Sequence, residues 1–213
     1  ERLRDMGIRV HVGHAAENVR GADVLIFSAA ISNENPERME AEKLGIPQME
    51  RSTLLGQLME GYTHAINVCG THGKTTTSTM LAHILYRSHV GANAFLGGIA
   101  NNYHTNLLLD ARSDLVVVEA DEFDRSFHYL TPLRSVITAM DADHLDIYGT
   151  YENYIESFRH YASLIKSGGA LIVNSSVAEL LKPRLGDNVS LYTYSIDNGD
   201  FHAENIRVGR GTI

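Results

Sequence analysis

The chain has 213 residues, of which 44% are hydrophobic and 21% are charged, as in an ordinary globular protein with one large or two small domains. The net charge of −8 argues against a nucleic-acid partner, and without a run of about 18 apolar residues no membrane-spanning helix is predicted. Cys69 is the only cysteine, which excludes an internal disulfide and fits a reducing cytoplasm. We therefore expect a cytoplasmic protein.

The first sixty residues predict a partial α/β unit. Residues 8–12 alternate in polarity and residues 22–28 form an apolar run, so both are predicted strands. A helix is predicted from Pro36 to Leu44, because Pro favours an early helical position and Gly45 follows the last one. A short extended piece and a second helix follow, at residues 46–49 and 53–60.

We place a domain boundary at residues 61–64, which gives a first domain of residues 1–62 and a second of residues 63–213. The chain begins without Met among charged residues and ends without a closing element. We therefore expect a truncated protein.

The most informative segment, residues 65–77, joins an apolar run through a Gly-containing turn to Lys-Thr-Thr and a helical pattern that reaches about residue 86. Gly70 and Gly73 let backbone N–H groups face an anion, and the helix N-terminus adds its positive dipole end. Lys74 can reach the β- and γ-phosphates of a nucleotide, and the Thr75 hydroxyl can bind Mg²⁺. The segment predicts an ATP site, although the usual first glycine of such loops is here Val68.

An ordinary strand–turn–helix junction is the alternative interpretation of this segment. We disfavour it because a cation at a helix N-terminus opposes the helix dipole and usually has an anionic partner.

The remaining elements alternate between strands and helices, which predicts a mostly parallel sheet. Strands are predicted at residues 115–118, 135–139 and 170–174, and residues 91–105 are expected to be irregular. An amphipathic helix is predicted over residues 151–165. Its apolar face is expected to be core: Tyr154, Ile155, Phe158, Tyr161, Ala162 and Ile165.

Three predicted strands end in polar clusters: the phosphate loop, residues 119–124 and residues 141–146. Ligands of an open parallel sheet bind beyond the carboxyl ends of its strands, so we expect one crevice to contain Lys74, Thr75, Glu119 and His144. Lys74 would neutralise phosphate charge, and Thr75 and Glu119 would hold Mg²⁺. His144 could help bind a second metal ion, although histidine is an unusual ligand for Mg²⁺.

Other polar residues of these clusters remain open between two interpretations. Asp121 and Glu122 fit a solvated acidic turn as well as a functional role. His72 is expected to support the loop or to contact substrate.

These motifs resemble the Mur ligase superfamily over most of the chain. Residues 70–76 match its shortened phosphate loop, Gly-Thr-x-Gly-Lys-Thr-Thr. The Glu-Ala-Asp-Glu and Asp-His-Leu-Asp motifs, at residues 119–122 and 143–146, are similar to its muramate-binding branch. Residues 28–32 and 35–36, with Arg51, resemble the domain that binds the UDP-sugar.

The resemblance implies an α/β fold, with a partial Rossmann-like N-terminal domain followed by a P-loop-type central domain with a mostly parallel sheet. A C-terminal domain for the amino acid would be absent, so we expect this chain alone to be inactive. The implied reaction is an ATP- and Mg²⁺-dependent ligation. ATP phosphorylates the lactyl carboxylate of UDP-N-acetylmuramate, and L-alanine attacks the acyl phosphate to form an amide, in peptidoglycan biosynthesis.

The resemblance also implies residue roles. The residues implied in catalysis are Lys74, Glu119 and His144. Those implied in ATP binding are Gly70, Thr71, His72, Gly73, Lys74, Thr75 and Thr76. Those implied in metal binding are Thr75, Glu119 and His144. Those implied in UDP-sugar binding are Ser28, Ala29, Ala30, Arg51 and His72.

Two departures from the family pattern limit what is carried over. Ala139 stands where the family often has Asn, which puts the contact of that Asn in doubt. No Lys lies between His144 and Ile165, where related ligases carry a carbamylated Lys and this chain has Arg159 and His160. No carbamate is expected on that helix.

Two alternative functions stay open. A sibling ligase joins a preformed tripeptide to UDP-N-acetylmuramate in wall recycling, and it shares the His72 loop and the acidic turn. The compact spacing from Asp124 through Leu130 to Pro132 favours the alanine-adding enzyme. A P-loop protein that binds nucleotide without catalysis would need neither His144 nor a UDP-sugar domain.

Overall fold

The protein is described from a computed structural model, which covers residues 2–123, 125–143 and 145–206. The chain divides into two compact units, Glu1–Leu55 and Gly56–Ile213. The predicted domain boundary at residues 62/63 stays a prediction. Among the described residues, no helix has the length and apolar character needed to cross a membrane.

The first unit contains a two-stranded parallel sheet and short helices. Its helices and strands are α1 (Arg2–Asp5), a 3-10 turn (Ala16–Val19), β1 (Leu25–Phe27), α2 (Pro36–Leu44), β2 (Gln48–Glu50) and the start of α3 (Arg51–Glu60). β1 pairs with β2 in parallel. The predicted helix α2 is confirmed: the Asn35 side chain accepts a hydrogen bond from the Glu37 N–H at 2.9 Å, and Gly45 ends the helix at φ 70°.

The predicted strand at residues 8–12 is wrong. These residues have no regular structure, and Ile8 and Val12 are 46% and 93% exposed. A strand needs a neighbour to satisfy its backbone groups, and within the described residues none pairs with this segment.

The second unit is built on an eight-stranded sheet. After α3 its elements are β3 (His64–Cys69), α4 (Lys74–Arg87), β4 (Asn93–Ala100), β5 (Thr105–Leu108), β6 (Leu115–Glu119), a 3-10 turn (Ser126–Tyr129), β7 (Arg134–Ile137), α5 (Leu145–Tyr148), α6 (Tyr151–Ser163), β8 (Ala170–Asn174), α7 (Ala178–Leu181), a 3-10 turn (Lys182–Arg184), β9 (Ser190–Ser195) and β10 (Phe201–His202). The strand order is β10–β9–β8–β7–β3–β6–β4–β5. All neighbouring pairs are parallel except β4 and β5, so the predicted mostly parallel α/β fold is confirmed.

The register of the central strands brings three loops to one edge of the sheet. Val68 of β3 pairs with Glu119 of β6, and Cys69 pairs with Ile137 of β7. The chain leaves β3 toward β4 on one side and later reaches β7 on the other, so this edge is a topological switch point. The phosphate loop, the acidic turn and the segment after β7 therefore start side by side.

The prediction that residues 91–105 are irregular is wrong, because most of them form β4. Small side chains suit this strand, since Ala94 is fully buried opposite Val117 of β6. Their low strand propensity is overridden by packing in the sheet.

The helix α6 buries the apolar face that the sequence predicted. All six residues of its expected apolar face are at most 9% exposed: Tyr154, Ile155, Phe158, Tyr161, Ala162 and Ile165. Phe127 stacks on Tyr161 with ring centroids 4.8 Å apart, and the Tyr161 hydroxyl lies 2.8 Å from the Ser135 hydroxyl. The helix is thus held in place by aromatic packing and by buried polar contacts.

Gly56 gives a test of the packing between α3 and the turn before β7. A Cβ atom added at Gly56 would lie 2.3 Å from the carbonyl oxygen of Tyr129. We expect Gly56→Ala to lower the free energy of unfolding by about 1–3 kcal/mol because backbone must move. At an unobstructed helical position the same change raises it by about 1 kcal/mol.

The measurement is chemical denaturation monitored by circular dichroism. Gly186→Ala is the control, because its added Cβ meets the Val189 side chain at an ordinary 3.5 Å. A stabilised Gly56→Ala protein would contradict the packing described.

Candidate functional site

The phosphate loop is held against the strand end of β7. Gly70 has φ 121°, and a Cβ atom there would lie 2.5 Å from Thr138 Oγ1 and 2.7 Å from the Ala139 carbonyl oxygen. The Thr71 N–H donates to that carbonyl at 3.0 Å, and Thr138 Oγ1 donates to the Cys69 carbonyl at 3.0 Å. Glycine is therefore required at position 70 by both its backbone angle and its close contacts.

Thr71 and His72 occupy opposite environments in the loop. Thr71 is buried, and its hydroxyl lies 3.0 Å from the Tyr154 hydroxyl and 3.2 Å from the Asp141 carbonyl oxygen. The side chain of His72 is 70% exposed, with Nε2 3.8 Å from Asp141 Oδ2. The Thr71 side chain thus anchors the loop, whereas the His72 ring is accessible to a ligand.

The hydroxyl of Thr75 and the carboxylate of Glu119 are direct neighbours, as the predicted crevice requires. Thr75 Oγ1 donates to Glu119 Oε1 at 2.7 Å. The other carboxylate oxygen, Oε2, accepts from Ser78 Oγ at 3.2 Å and from the Gly97 N–H at 2.8 Å. Three donors from α4 and β4 therefore fix the position of Glu119.

Ser78 and Gly97 were not predicted as site residues, although the sequence carries a signal for each. Ser78 lies three residues after Thr75 and so shares its face of α4. Gly97 opens a Gly-Gly pair, and glycine inside a strand often marks a close approach. A Cβ atom at Gly97 would lie 2.4 Å from Glu119 Oε1, so glycine leaves the room that the carboxylate occupies.

Lys74 forms an ion pair with Glu122, one of the two acidic residues whose role the sequence left open. Lys74 Nζ lies 2.8 Å from Glu122 Oε1 and 2.9 Å from the Gly70 carbonyl oxygen. The Glu122 side chain is fully buried, and 17% of the Lys74 side chain is exposed. Burial raises the pKa of Glu122, and the nearby ammonium opposes that shift.

The remaining predicted nucleotide-binding residues lie around the start of α4. Gly73 precedes the helix at φ 81° and Thr76 is exposed in its first turn. Thr75 and Thr76 line a groove of about 340 Å³ that extends to Asn101 and Tyr103 beyond β4. The structure thus brings Lys74, Thr75 and Glu119 together, whereas His144 lies outside the described residues.

The residues predicted to bind a UDP-sugar belong to the first unit, except His72. Ser28, Ala29 and Ala30 form an exposed turn after β1, in which the Ile31 N–H donates to the Ser28 carbonyl at 2.9 Å. Arg51 is exposed at the start of α3. Their role stays a prediction.

The donor atoms present fit a magnesium ion better than a softer metal. Within the described ranges no group of three His, Cys, Asp or Glu side chains could hold a metal. Thr75 and Glu119 offer adjacent hydroxyl and carboxylate oxygens. Mg²⁺ prefers such hard oxygens and is commonly held by one or two carboxylates plus phosphate and water.

Two known families match this chain, each over a different part. The Mur ligase middle domain matches residues 68–212, and the family described as "Mur ligase family, catalytic domain" matches residues 1–63.

Curated relatives match over the whole chain. A UDP-N-acetylmuramate–L-alanine ligase of Phocaeicola vulgatus is 52% identical over 100% of this chain and 47% of its own length. The enzyme of the same name from Porphyromonas gingivalis is 47% identical over 100% of this chain and 48% of its own length. The chain spans about half the length of the curated relatives it matches.

Solved structures agree with the fold. The UDP-N-acetylmuramate-alanine ligase MurC of Thermotoga maritima has a TM-score of 0.76 and 29% identity, over 92% of this chain and 44% of that one. A UDP-N-acetylmuramate:L-alanyl-gamma-D-glutamyl-meso-diaminopimelate ligase from Neisseria meningitides has a TM-score of 0.80 over 91% of this chain and 65% of that one. Its 24% identity makes this a likeness of fold alone. With its second unit matched almost throughout by the middle-domain family, the chain belongs to the Mur ligase family.

Proposed function

We propose that the chain binds Mg²⁺-ATP beyond the carboxyl end of β3. The protein uses it in the cytoplasm to join L-alanine to the lactyl carboxylate of UDP-N-acetylmuramate, in peptidoglycan biosynthesis. The observation that carries the nucleotide site is the 2.7 Å contact between Thr75 Oγ1 and Glu119 Oε1, next to Lys74. Lys74 and Thr75 begin the helix that follows β3, and Glu119 ends β6. Together these side chains suit phosphoryl transfer.

Different groups of the site would bind different parts of the triphosphate. Backbone N–H groups at the start of α4 and the helix dipole attract the phosphate oxygens. Lys74 neutralises charge on the transferring phosphoryl group. Thr75 and Glu119 would hold the metal ion, with His144 for a second one, and bound metal would neutralise charge on the phosphate oxygens.

The proposed reaction has two steps. A lactyl carboxylate oxygen attacks the γ-phosphorus of ATP, the bond to the β–γ bridging oxygen breaks, and ADP leaves. The amino group of L-alanine then attacks the acyl carbon, loses a proton and expels phosphate to leave an amide. Lys74 stays against the phosphoryl oxygens during the first step, where charge moves toward ADP.

The names of the relatives support the choice of substrates. The curated relatives above are called UDP-N-acetylmuramate–L-alanine ligases and match the whole chain at 52% and 47% identity. The exposed His72, Ser28, Ala29, Ala30 and Arg51 are proposed to contact the UDP-sugar.

The metal-dependence of nucleotide binding tests the proposed Thr75 ligand. We expect the chain to bind ATP with Mg²⁺, and to lose at least about tenfold in affinity when EDTA removes the metal. Thr75→Ala should weaken Mg²⁺-ATP binding by about tenfold and leave the weaker metal-free binding unchanged. Isothermal titration calorimetry measures both. Thr63→Ala, at an exposed position before β3, is the control. Equal loss with and without metal would contradict the assignment.

Gly97→Ala tests whether the space beside Glu119 matters for binding. The added Cβ would displace the carboxylate from its 2.8 Å bond to the residue-97 N–H, so Mg²⁺-ATP affinity should fall by about tenfold. Gly186→Ala serves again as the control. If Gly97→Ala keeps its thermal midpoint and also keeps full affinity, Glu119 is not a ligand of the metal–nucleotide complex.

Ligation is tested by ADP release from the full-length gene product, because the chain spans about half the length of its relatives. The mixture contains Mg²⁺-ATP, UDP-N-acetylmuramate and either L-alanine or the L-Ala-γ-D-Glu-diaminopimelate tripeptide. We expect turnover with L-alanine, and none from residues 1–213 alone. Turnover with the tripeptide alone would identify the recycling reaction. Unchanged ligation in both Lys74→Ala and His144→Ala would refute the proposed mechanism.

A further inference from the structure

The phosphate-loop lysine is held by the protein in two directions. Its Nζ atom lies 2.8 Å from Glu122 Oε1 and 2.9 Å from the Gly70 carbonyl oxygen. An ammonium group has three N–H donors and no acceptor. Within the described part of the chain, two of them are therefore used by the protein, and one remains to meet a phosphate oxygen.

The residue whose carboxylate holds Lys74 is anchored through its backbone. Its backbone carbonyl accepts hydrogen bonds from the Tyr148 hydroxyl and from the Arg125 N–H, the latter at 3.1 Å. The side chain is fully buried, and Oε2 has no hydrogen-bond partner among the described residues. Because water does not reach this carboxylate, Lys74 is, among the residues that the structure describes, the cation within bonding distance that compensates its charge.

The two residues are 48 positions apart, and the sheet brings them together. Glu122 follows β6, Lys74 follows β3, and the Ala120 N–H donates to the Val68 carbonyl at 2.9 Å where the two strands end. The contact is therefore built into the frame of the sheet and does not depend on a long surface side chain finding its partner.

We propose that Glu122 is a positioning residue that fixes the Lys74 ammonium, so that its one remaining N–H faces the phosphates of the nucleotide. The inference rests on the proposed function, because it assigns Lys74 to the phosphates. Glu122 has no part in the chemistry and acts through Lys74 alone. A preoriented ammonium loses less freedom when it binds phosphate, so the carboxylate favours binding even though its negative charge repels the anion.

The hold of the protein on the Lys74 ammonium can be measured without nucleotide, through the exchange of its hydrogens with water. The chain has four lysines, Lys43, Lys74, Lys166 and Lys182, so the lysine side-chain ¹⁵N spectrum is simple enough to assign. We expect one ammonium signal whose hydrogens exchange slowly with water. This signal belongs to Lys74 and is lost in Lys74→Arg. Lys43 and Lys182 pair with Glu40 and Glu179 but are 73% and 54% exposed, so they should exchange fast and serve as internal controls.

Two substitutions at Glu122 separate positioning from folding. Glu122→Gln keeps an acceptor oxygen but loses the charge, and Glu122→Leu loses both. We expect Mg²⁺-ATP affinity to fall about threefold in Glu122→Gln and at least about tenfold in Glu122→Leu, with faster Lys74 exchange in the same order. Glu40→Gln, which removes the charge opposite the exposed Lys43 ammonium, should change neither quantity.

The outcomes distinguish this inference from the proposed function. Slow hydrogen exchange at Lys74 in a chain that binds no ATP would refute the proposed function, but it would still support the hold of Glu122 on the Lys74 ammonium. A fast-exchanging Lys74 in the wild-type chain would overturn the inference. So would a folded Glu122→Gln protein with a lower thermal midpoint but unchanged ATP affinity and unchanged Lys74 exchange, since that is the pattern of a purely structural ion pair. If Glu122→Leu does not fold, Glu122→Gln and the wild-type spectrum still decide.

Discussion

The parallel pairing of β3 with β6 and β7 is the constraint on which the candidate site depends. The register sets Val68 opposite Glu119 and Cys69 opposite Ile137, so the loops that follow the three strands begin at the same level. Because strand side chains alternate between faces, a shift of one residue would turn Glu119 away from Thr75. The geometry of the site therefore depends on the hydrogen bonds between these strands. The strand β6 lies in the core, where Val116, Val117 and Val118 are fully buried.

Two close approaches of the backbone complete the geometry. At Gly70 the phosphate loop touches the end of β7, and at Gly97 the strand β4 touches the Glu119 carboxylate. In both places a side chain would occupy space that a neighbour already fills. The glycines therefore do more than allow an unusual backbone angle, since Gly97 has none and is needed for contact alone.

The ion pair of Lys74 with Glu122 changes how the phosphate loop is understood. From the sequence, a cation in the first helical turn points to an anionic ligand, because it opposes the helix dipole. In the structure the protein supplies an anion of its own, at 2.8 Å. The argument for a nucleotide then rests on the combination of the glycine loop, the adjacent Thr75 and Glu119 oxygens and the free N–H of Lys74, and no longer on an unpaired charge.

The sequence by itself determined the helix α2 between its early Pro36 and the following Gly45, the apolar face of α6, the strand–turn–helix of the phosphate loop and the alternation of strands and helices that makes the sheet mostly parallel. These follow from local periodicity and from residues with special backbone preferences. The sequence misassigned residues 8–12 and 91–105, where pairing with a neighbouring strand decides the outcome and alternation or small residues mislead. Only the tertiary structure decided that Glu122 meets Lys74 and that Ser78 and Gly97 hold Glu119. These contacts join positions 22 to 48 residues apart, and the distances between such positions are set by strand register, which no local pattern encodes.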